Sequence, residues 1–338
     1  MKSGRFRLAA FALSLAMGAS VFSTSALALG DDGEGDKAKP KPAAKRADIY
    51  DPKADARELV ANAVAKADKD HKRVLLMFGG NWCGWCHKLH DVFKTNAKIA
   101  KLLRYEYELA MVDTAAPNAD KVFEELKGDP KAGVPFLIVL DGKGQPVVRQ
   151  ETSSLEEGDH HDPAKVEAFL AKWKAEPVDA VAAFDSALKR ASSEEKMVFL
   201  HFGAPWCGWC HRLEDFLAQK EVTEILGRDY IDLKIDMDRD TGAADVAKRF
   251  RKSEAGGIPW FAFVDGQGKE LINSDGPDGK SNIGYPMEPK EISWFIEMLK
   301  KTTKKVDAAQ IERIEVLLKE AGDKIRASRP ARPAQPTP

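Results

Sequence analysis

The sequence predicts an α/β protein made of two tandem copies of one fold, each with a mixed central sheet flanked by helices. The main observation is an internal repeat, because the segment LLMFGGNWCGWCHKLHD at 75–91 reappears as FLHFGAPWCGWCHRLED at 199–215, 124 residues later. Two further landmarks recur at the same displacement, namely Gly133-Val134-Pro135 with Gly257-Ile258-Pro259, and Asp-Gly-x-Gly at 141–144 and 265–268. Three landmarks with one displacement indicate two copies of one structural unit.

The hydrophobic pattern of each copy alternates helices and strands. In the first copy, a helical stretch at about 53–70 precedes the apolar strand Val74–Phe78, and the cysteine motif begins a helix that continues to about 104. The later elements follow in order: a strand at about 107–113, a helix, the strands Pro135–Leu140 and Val147–Gln150, and a helix at about 162–175. The second copy has strands near 197–202, 230–236, 260–264 and 270–273 and a closing helix near 290–302.

The whole chain is predicted to have six segments. They are a signal peptide at 1–28, a flexible leader at 29–50, a first domain at 51–176, a second domain at 177–304, a C-terminal helix at 305–326 and a disordered tail at 327–338. The leader and the tail are rich in Pro, Ala and charged residues and have little apolar surface to bury. The C-terminal helix has apolar residues at helical spacing, so we expect it to pack on the second domain.

The first 28 residues have the pattern of a secretory signal peptide. Lys2, Arg5 and Arg7 precede an apolar run, and small residues lead to Ala-Leu-Ala, so we expect cleavage after Ala28. An uncleaved membrane anchor is the alternative, but the apolar run is short and interrupted by Gly and Ser. The product is therefore expected to be periplasmic or secreted. A formal net charge of -1 does not favour a nucleic-acid partner.

All four cysteines lie in the two copies of the hexapeptide WCGWCH. An exported protein stabilised by structural disulfides would distribute its cysteines along the chain, so this clustering predicts redox chemistry. Two intervening residues at the start of a helix provide one thiolate for attack and a second thiol that resolves the mixed disulfide. The helix N-terminus favours ionisation of the first cysteine. We predict that Cys83 and Cys207 attack and that Cys86 and Cys210 resolve.

These residues resemble the thioredoxin family, which has an apolar strand, a Trp-Cys-x-x-Cys motif at a helix start and a proline before a later strand. The interval from the attacking cysteine to the proline is 52 residues in both copies, and the resemblance covers about 53–175 and 178–303. In that family the proline is cis and lies beside the cysteine pair, where the backbone of the preceding residue pairs with the substrate. The resemblance therefore implies that these residues contact substrate: Trp82, Val134 and Pro135, and Trp206, Ile258 and Pro259.

Two tryptophans, Trp85 and Trp209, lie between the cysteines of the CGWC sites. We expect them to be exposed and to add an apolar contact surface for protein substrates. The alternative is that they cover the proline loop. Thioredoxin has Gly-Pro at these two positions, and the dipeptide strongly influences the reduction potential, so the direction of exchange stays open at this point.

Thioredoxin also has a buried Asp six residues before the attacking cysteine, and this position holds Met77 in the first copy and His201 in the second. A histidine can move a proton and a methionine cannot. We therefore predict that His201 assists proton transfer at the second pair, with a hydrogen-bonded core histidine as the alternative. His87 and His211, which follow the resolving cysteines, either add positive charge near the thiolates or cap the helix turn.

The sequence therefore predicts an exported thiol–disulfide oxidoreductase that acts on cysteine-containing proteins without a cofactor or metal. We favour a disulfide reductase, because Val or Ile before the proline and Gly after the first cysteine resemble thioredoxin more than the strong oxidants. A membrane redox partner would supply or remove electrons. The alternatives are a disulfide oxidase or isomerase of the same fold and, less favoured, a c-type haem protein that uses Cys-x-x-Cys-His.

Two metal sites receive less support. One zinc ion between the two pairs would require cysteines from separate domains, whereas zinc ribbons place them within one small unit. His160 and His161, with Asp159 and Asp162, are interpreted as a polar loop before a helix.

Overall fold

The computed structural model describes residues 46–251 and 257–328. Within them, residues from Ala47 onward belong to one compact unit that contains both copies of the repeat. The predicted signal peptide, most of the predicted leader and most of the predicted tail lie outside the described residues. Of the helices that the structure describes, none has the length and apolar character needed to cross a membrane.

The first domain has a four-stranded mixed sheet with helices on both faces, as predicted. Its elements are α1 (Ala56–Lys69), β1 (Arg73–Gly79), α2 (Gly84–Thr95), α3 (Ala97–Glu106), β2 (Tyr107–Asp113), α4 (Ala119–Glu125), β3 (Phe136–Leu140), β4 (Pro146–Glu151), a 3-10 turn (Thr152–Leu155), β5 (Glu156–Glu157), β6 (His160–His161) and α5 (Pro163–Trp173). The strand order is β2-β1-β3-β4, with β1 parallel to β2 and antiparallel to β3. The predicted fold class is therefore confirmed.

The helix predicted from the cysteine motif to about residue 104 is two helices, α2 and α3. Asn96 separates them, because its extended backbone ends α2 and its side chain accepts hydrogen bonds from Lys98 N and Ile99 N at 3.1 Å each. An asparagine in this conformation is a favourable N-cap. The prediction of one continuous helix was wrong at this residue.

The second domain repeats the architecture with the strand order β10-β9-β7-β8. Its elements are α6 (Ala180–Ser193), β7 (Met197–Gly203), α7 (Gly208–Leu217), α8 (Lys220–Leu226), β8 (Tyr230–Asp236), α9 (Ala243–Phe250), β9 (Trp260–Val264), β10 (Glu270–Asn273) and α10 (Pro289–Thr302), followed by α11 (Ala308–Ser328). Helix α11 packs on α10 and adds Ile311, Ile314 and Leu318 to the core of this domain.

The central strands β1 and β7 separate two apolar layers in each domain. On β1, Leu75 and Met77 face the layer that contains α2 and α5, and Leu76 and Phe78 face α1 and α4. This alternation is expected for a strand that is covered on both faces. Since each cysteine motif follows directly, both pairs lie at the carboxyl end of a buried central strand.

Polar contacts join the two domains at the opposite end of β1. Arg239 donates hydrogen bonds to the carbonyl oxygens of Asp70 and His71, each at 2.8 Å, and to Glu106 at 3.2 Å. Lys234 Nζ lies 3.1 Å from Asp70 Oδ1. Because the side chain of Arg239 is only 8% exposed, these contacts are largely shielded from water.

Candidate active site

Each cysteine pair begins a helix, and its first cysteine is the N-cap residue. Cys83 caps α2, and the backbone N–H of Cys86 donates to Cys83 Sγ at 3.0 Å. Cys207 caps α7 in the same way, with Cys210 N at 3.1 Å from its sulfur. An N–H group and a helix N-terminus directed at the first sulfur stabilise a thiolate there. In the structure both pairs are disulfide-bonded.

The two cysteines of each pair differ little in exposure. Cys83 and Cys207 are each 4% exposed, against 0% for Cys86 and 2% for Cys210. The second cysteine of each pair is slightly more buried than the first, but the first cysteine is also mostly covered rather than open to solvent.

The proline loops lie beside the first cysteine of each pair. The Val134–Pro135 and Ile258–Pro259 peptide bonds are both cis, as the resemblance implied. The carbonyl oxygen of Val134 is 3.7 Å from Cys83 Sγ, and that of Ile258 is 3.6 Å from Cys207 Sγ. The structure therefore brings together the cysteine and loop residues that the sequence analysis assigned to each site.

Three of the four site tryptophans are exposed. Trp82 is 74% exposed, Trp206 56% and Trp209 39%, the last stacked on Tyr285. Trp85 was expected to be exposed, but it is half-buried because its ring packs edge-on against His161 at 5.3 Å. The exposed apolar surface beside the cysteines is thus formed mainly by the tryptophan that precedes each pair.

His161 also corrects the prediction of a polar loop at 159–162. The short strands β5 and β6 form a hairpin there, and His161 is fully buried with Nε2 3.3 Å from the Trp85 carbonyl oxygen. Burial lowers the pKa of His161. The neutral ring therefore supports the first turn of α2, while His160 stays exposed.

The histidines that follow the resolving cysteines bind backbone carbonyls before the motif. The Nε2 atom of His87 is 2.9 Å from Asn81 O, and that of His211 is 3.0 Å from Pro205 O. Both contacts fix the turn that precedes the helix, which favours the capping alternative. His211 also has Nδ1 3.5 Å from Glu214, whose hydrogen bond raises the pKa of His211.

His201 is buried on the face of β7 that α7 covers. Its Nε2 atom is 3.0 Å from Asp232 Oδ1. A cavity of about 450 Å³ reaches this pair and is also lined by Glu214 and Lys234. The equivalent Met77 is buried in the apolar core of the first domain.

Sequence reasoning missed two residues that lie next to the resolving sulfurs, Tyr50 and Glu214. Tyr50 was assigned to the flexible leader, but it is 4% exposed, and the Asn81 side chain binds its backbone N–H at 2.9 Å. Glu214 is also 4% exposed. The repeat itself could have pointed to Glu214, because a buried carboxylate stands there at the position that His90 holds in the first copy.

One group of side chains has the donor atoms for a metal ion. Ligand atoms of Asp70, His211 and Glu214 lie within 4.8 Å of one another. However, Lys234 Nζ already lies 2.9 Å from Glu214 Oε1 and 3.1 Å from Asp70 Oδ1. The lysine ammonium therefore balances these carboxylates, and we assign no metal to the group.

Two family models match the chain. A model described as "Thioredoxin-like domain" matches residues 60–154. The model Thioredox_DsbH, described as "Protein of unknown function, DUF255", matches residues 159–312. The first match lies within the first domain, and the second covers the second domain together with the last helix of the first.

Two curated relatives carry disulfide-exchange names. Protein disulfide-isomerase erp38 of Neurospora crassa is 27% identical over 181 residues, which is 53% of this chain and 48% of erp38. Disulfide bond reductase DsbH of Chlamydia pneumoniae is 28% identical over 99 residues, which is 27% of this chain and 60% of DsbH. The chain thus spans about half the length of the first relative.

Among solved structures, a disulphide isomerase from Xylella fastidiosa Temecula1 is 27% identical, with a TM-score of 0.33. The match covers 37% of this chain and 95% of that structure.

Proposed function

Since the chain belongs to the thioredoxin-like family, with two such domains in tandem, we propose that it exchanges disulfides with cysteine-containing proteins through both CGWC sites. The observation that carries this proposal is the arrangement around each pair. The first sulfur receives an N–H from the helix that it caps, and it lies beside the carbonyl that precedes a cis-proline. The disulfide isomerase and disulfide reductase names of the relatives support the same reaction class.

In the reducing direction, the Cys83 or Cys207 thiolate attacks a substrate disulfide. A mixed disulfide forms, and the other substrate sulfur leaves with the electron pair and takes up a proton. The thiol of Cys86 or Cys210 then loses its proton and attacks the first sulfur. The internal disulfide forms, the bond to the substrate breaks, and the substrate is released as a thiolate. The oxidising direction is the reverse of these steps.

We further propose that the protein acts as a reductase. The Val and Ile residues before the prolines support this direction, as does the Gly after each first cysteine. The test is the reduction potential of each pair in glutathione buffers, measured in full-length variants whose other pair is replaced by Ser. We expect values near about -270 mV, whereas values near about -120 to -180 mV would indicate an oxidase or isomerase.

Export and a membrane redox partner complete the proposal. The N-terminal pattern supports cleavage after Ala28, and a periplasmic reductase needs electrons from a donor across the membrane. N-terminal sequencing of the protein from a periplasmic fraction should begin at Leu29. Recovery of the protein only in the cytoplasm with its first residues intact would contradict export.

A further inference from the structure

The polar group beside the resolving sulfur differs between the two domains. The central strands end at the equivalent residues Gly79 and Gly203. A Cβ on Gly79 would collide with the Tyr50 hydroxyl and with Cys86 Sγ, so these two groups are neighbours. A Cβ on Gly203 would stand 3.3 Å from Glu214 Oε1 and 3.6 Å from Cys210 Sγ. A phenol therefore faces one resolving cysteine, and a carboxylate faces the other.

The Tyr50 hydroxyl is a buried donor without a hydrogen-bond partner among the described residues. Burial, followed by the charge of Asp113 at the end of β2, raises the pKa of Tyr50 above its usual range, so the phenol stays neutral. The O–H group of Tyr50 is thus available to donate to a Cys86 thiolate.

Glu214 is ionised in its buried position. Burial alone would raise its pKa, but the hydrogen bond with His211 and the Lys234 ammonium hold the pKa of Glu214 at about 2. His201 on β7 adds to this effect. Asp70 of the first domain shares Lys234 at 3.1 Å, so the ammonium is divided between two carboxylates.

A phenol and a carboxylate shift the pKa of a neighbouring thiol in opposite directions. A hydrogen bond donated to a thiolate favours the charged form and lowers the pKa, whereas a nearby negative charge disfavours it and raises the pKa. We infer that Tyr50 and Glu214 are positioning residues that set the two resolving cysteines apart, with Tyr50 making Cys86 more acidic and Glu214 making Cys210 less acidic. The inference rests on the proposed disulfide exchange.

The consequence concerns the second step of exchange. The resolving cysteine must lose its proton before its sulfur attacks the mixed disulfide. At a pH where Cys86 is ionised and Cys210 is not, the first domain releases its substrate quickly, and the second domain holds the mixed disulfide for longer. The two sites then differ in the lifetime of the covalent intermediate, although their cysteine motifs are identical.

The experiment uses the full chain with one pair replaced by Ser and the other pair reduced. An excess of an aromatic disulfide with a coloured thiolate gives one equivalent of colour on attack and a second on resolution. The rate of the second release is followed against pH. We expect a lower midpoint pH for the Cys83/Cys86 pair than for the Cys207/Cys210 pair.

Two substitutions should move the midpoints in opposite directions. Tyr50→Phe removes the donor and should raise the midpoint of the first pair by about one pH unit. Glu214→Gln removes the charge and should lower the midpoint of the second pair by about one pH unit. Lys234→Gln leaves the carboxylate without its ammonium and should raise the midpoint of the second pair. Glu214→Gln and Lys234→Gln should therefore shift this midpoint in opposite directions, whereas a general loosening of the site would shift it in the same direction in both variants.

Matched controls lie away from the sulfurs. Tyr107→Phe removes a buried hydroxyl that binds the Leu170 carbonyl, and Glu224→Gln removes a surface carboxylate on α8. Neither should move a midpoint. Equal midpoints in the two parent chains, or unchanged midpoints in Tyr50→Phe and Glu214→Gln, would overturn the inference. A pair that never releases the second thiolate would instead overturn the proposed function, and the inference with it.

Discussion

At the residue scale, we predict that His201 receives a proton that leaves the second pair. It lies near Glu214 on the cavity beneath α7, and its Nε2 atom is held by Asp232 at 3.0 Å. His201→Met copies the residue of the first domain into the second, and we expect resolution by Cys210 to slow about tenfold near neutral pH. Single-turnover rates measure this effect, with attack by Cys207 as the internal control. An unchanged rate would leave His201 as a core residue only.

The residues that the sequence identified share one property, which is that their spacing along the chain is short or repeated. The cysteines of each pair lie within one copy of a hexapeptide, and the hexapeptide and the proline loop recur at the same displacement. Tyr50 and Glu214 reach the sulfurs through the fold instead. Tyr50 belongs to a charged, irregular segment, and it is held by the Asn81 side chain and by burial in the apolar core of the first domain. Nothing in the local composition around Tyr50 indicates that contact.

At the scale of elements, the carboxyl ends of β1 and β7 look equivalent in sequence but differ in the room around them. We expect Gly79→Ala to cost about 2 kcal/mol or more, because its Cβ would collide with Tyr50 and Cys86. Gly203→Ala should cost less than about 1 kcal/mol, since the nearest atoms, Cys210 Cβ and Glu214 Oε1, would lie 3.3 Å from the new Cβ and need to move only slightly. Urea denaturation of the two variants measures the difference. Equal costs would contradict the proposed crowding beside Cys86.

The boundaries of an element could be predicted where the hydrophobic pattern changes. They could not be predicted where a single polar side chain ends one element and begins the next. The strand predicted at Val74–Phe78 extends by one residue at each end in the structure. The break at Asn96 depends on one side chain that satisfies two backbone donors, and apolar spacing continues on both sides of it. The hairpin at 156–161 similarly depends on the burial of His161, and the hydrophilic residues around His161 give no indication of that burial.

At the scale of the whole molecule, two sets of polar contacts join the domains, and one of them lies next to the second cysteine pair. Asp70 and His71 precede β1, and they bind Arg239 and Lys234 of the second domain. Asp238 accepts hydrogen bonds from Tyr105 of the first domain and from Trp206, next to the second pair. The second cysteine pair therefore lies close to the domain contact, whereas the first lies at the far end of β1.

This arrangement predicts that the two sites do not pass electrons to each other within one chain. Seven residues of β1 span roughly 20 Å, and disulfide exchange requires the sulfurs to touch. A variant with Cys86→Ser and Cys210→Ser leaves Cys83 and Cys207 as single thiols. Mild oxidation should then give dimers between chains and no internal Cys83–Cys207 bond, as measured by non-reducing electrophoresis and mass spectrometry at low protein concentration. Formation of the internal bond at a rate independent of concentration would require the domains to separate and rearrange. In that case the Arg239 contacts would break as the domains move apart. The two sites would then pass electrons to each other rather than work in parallel.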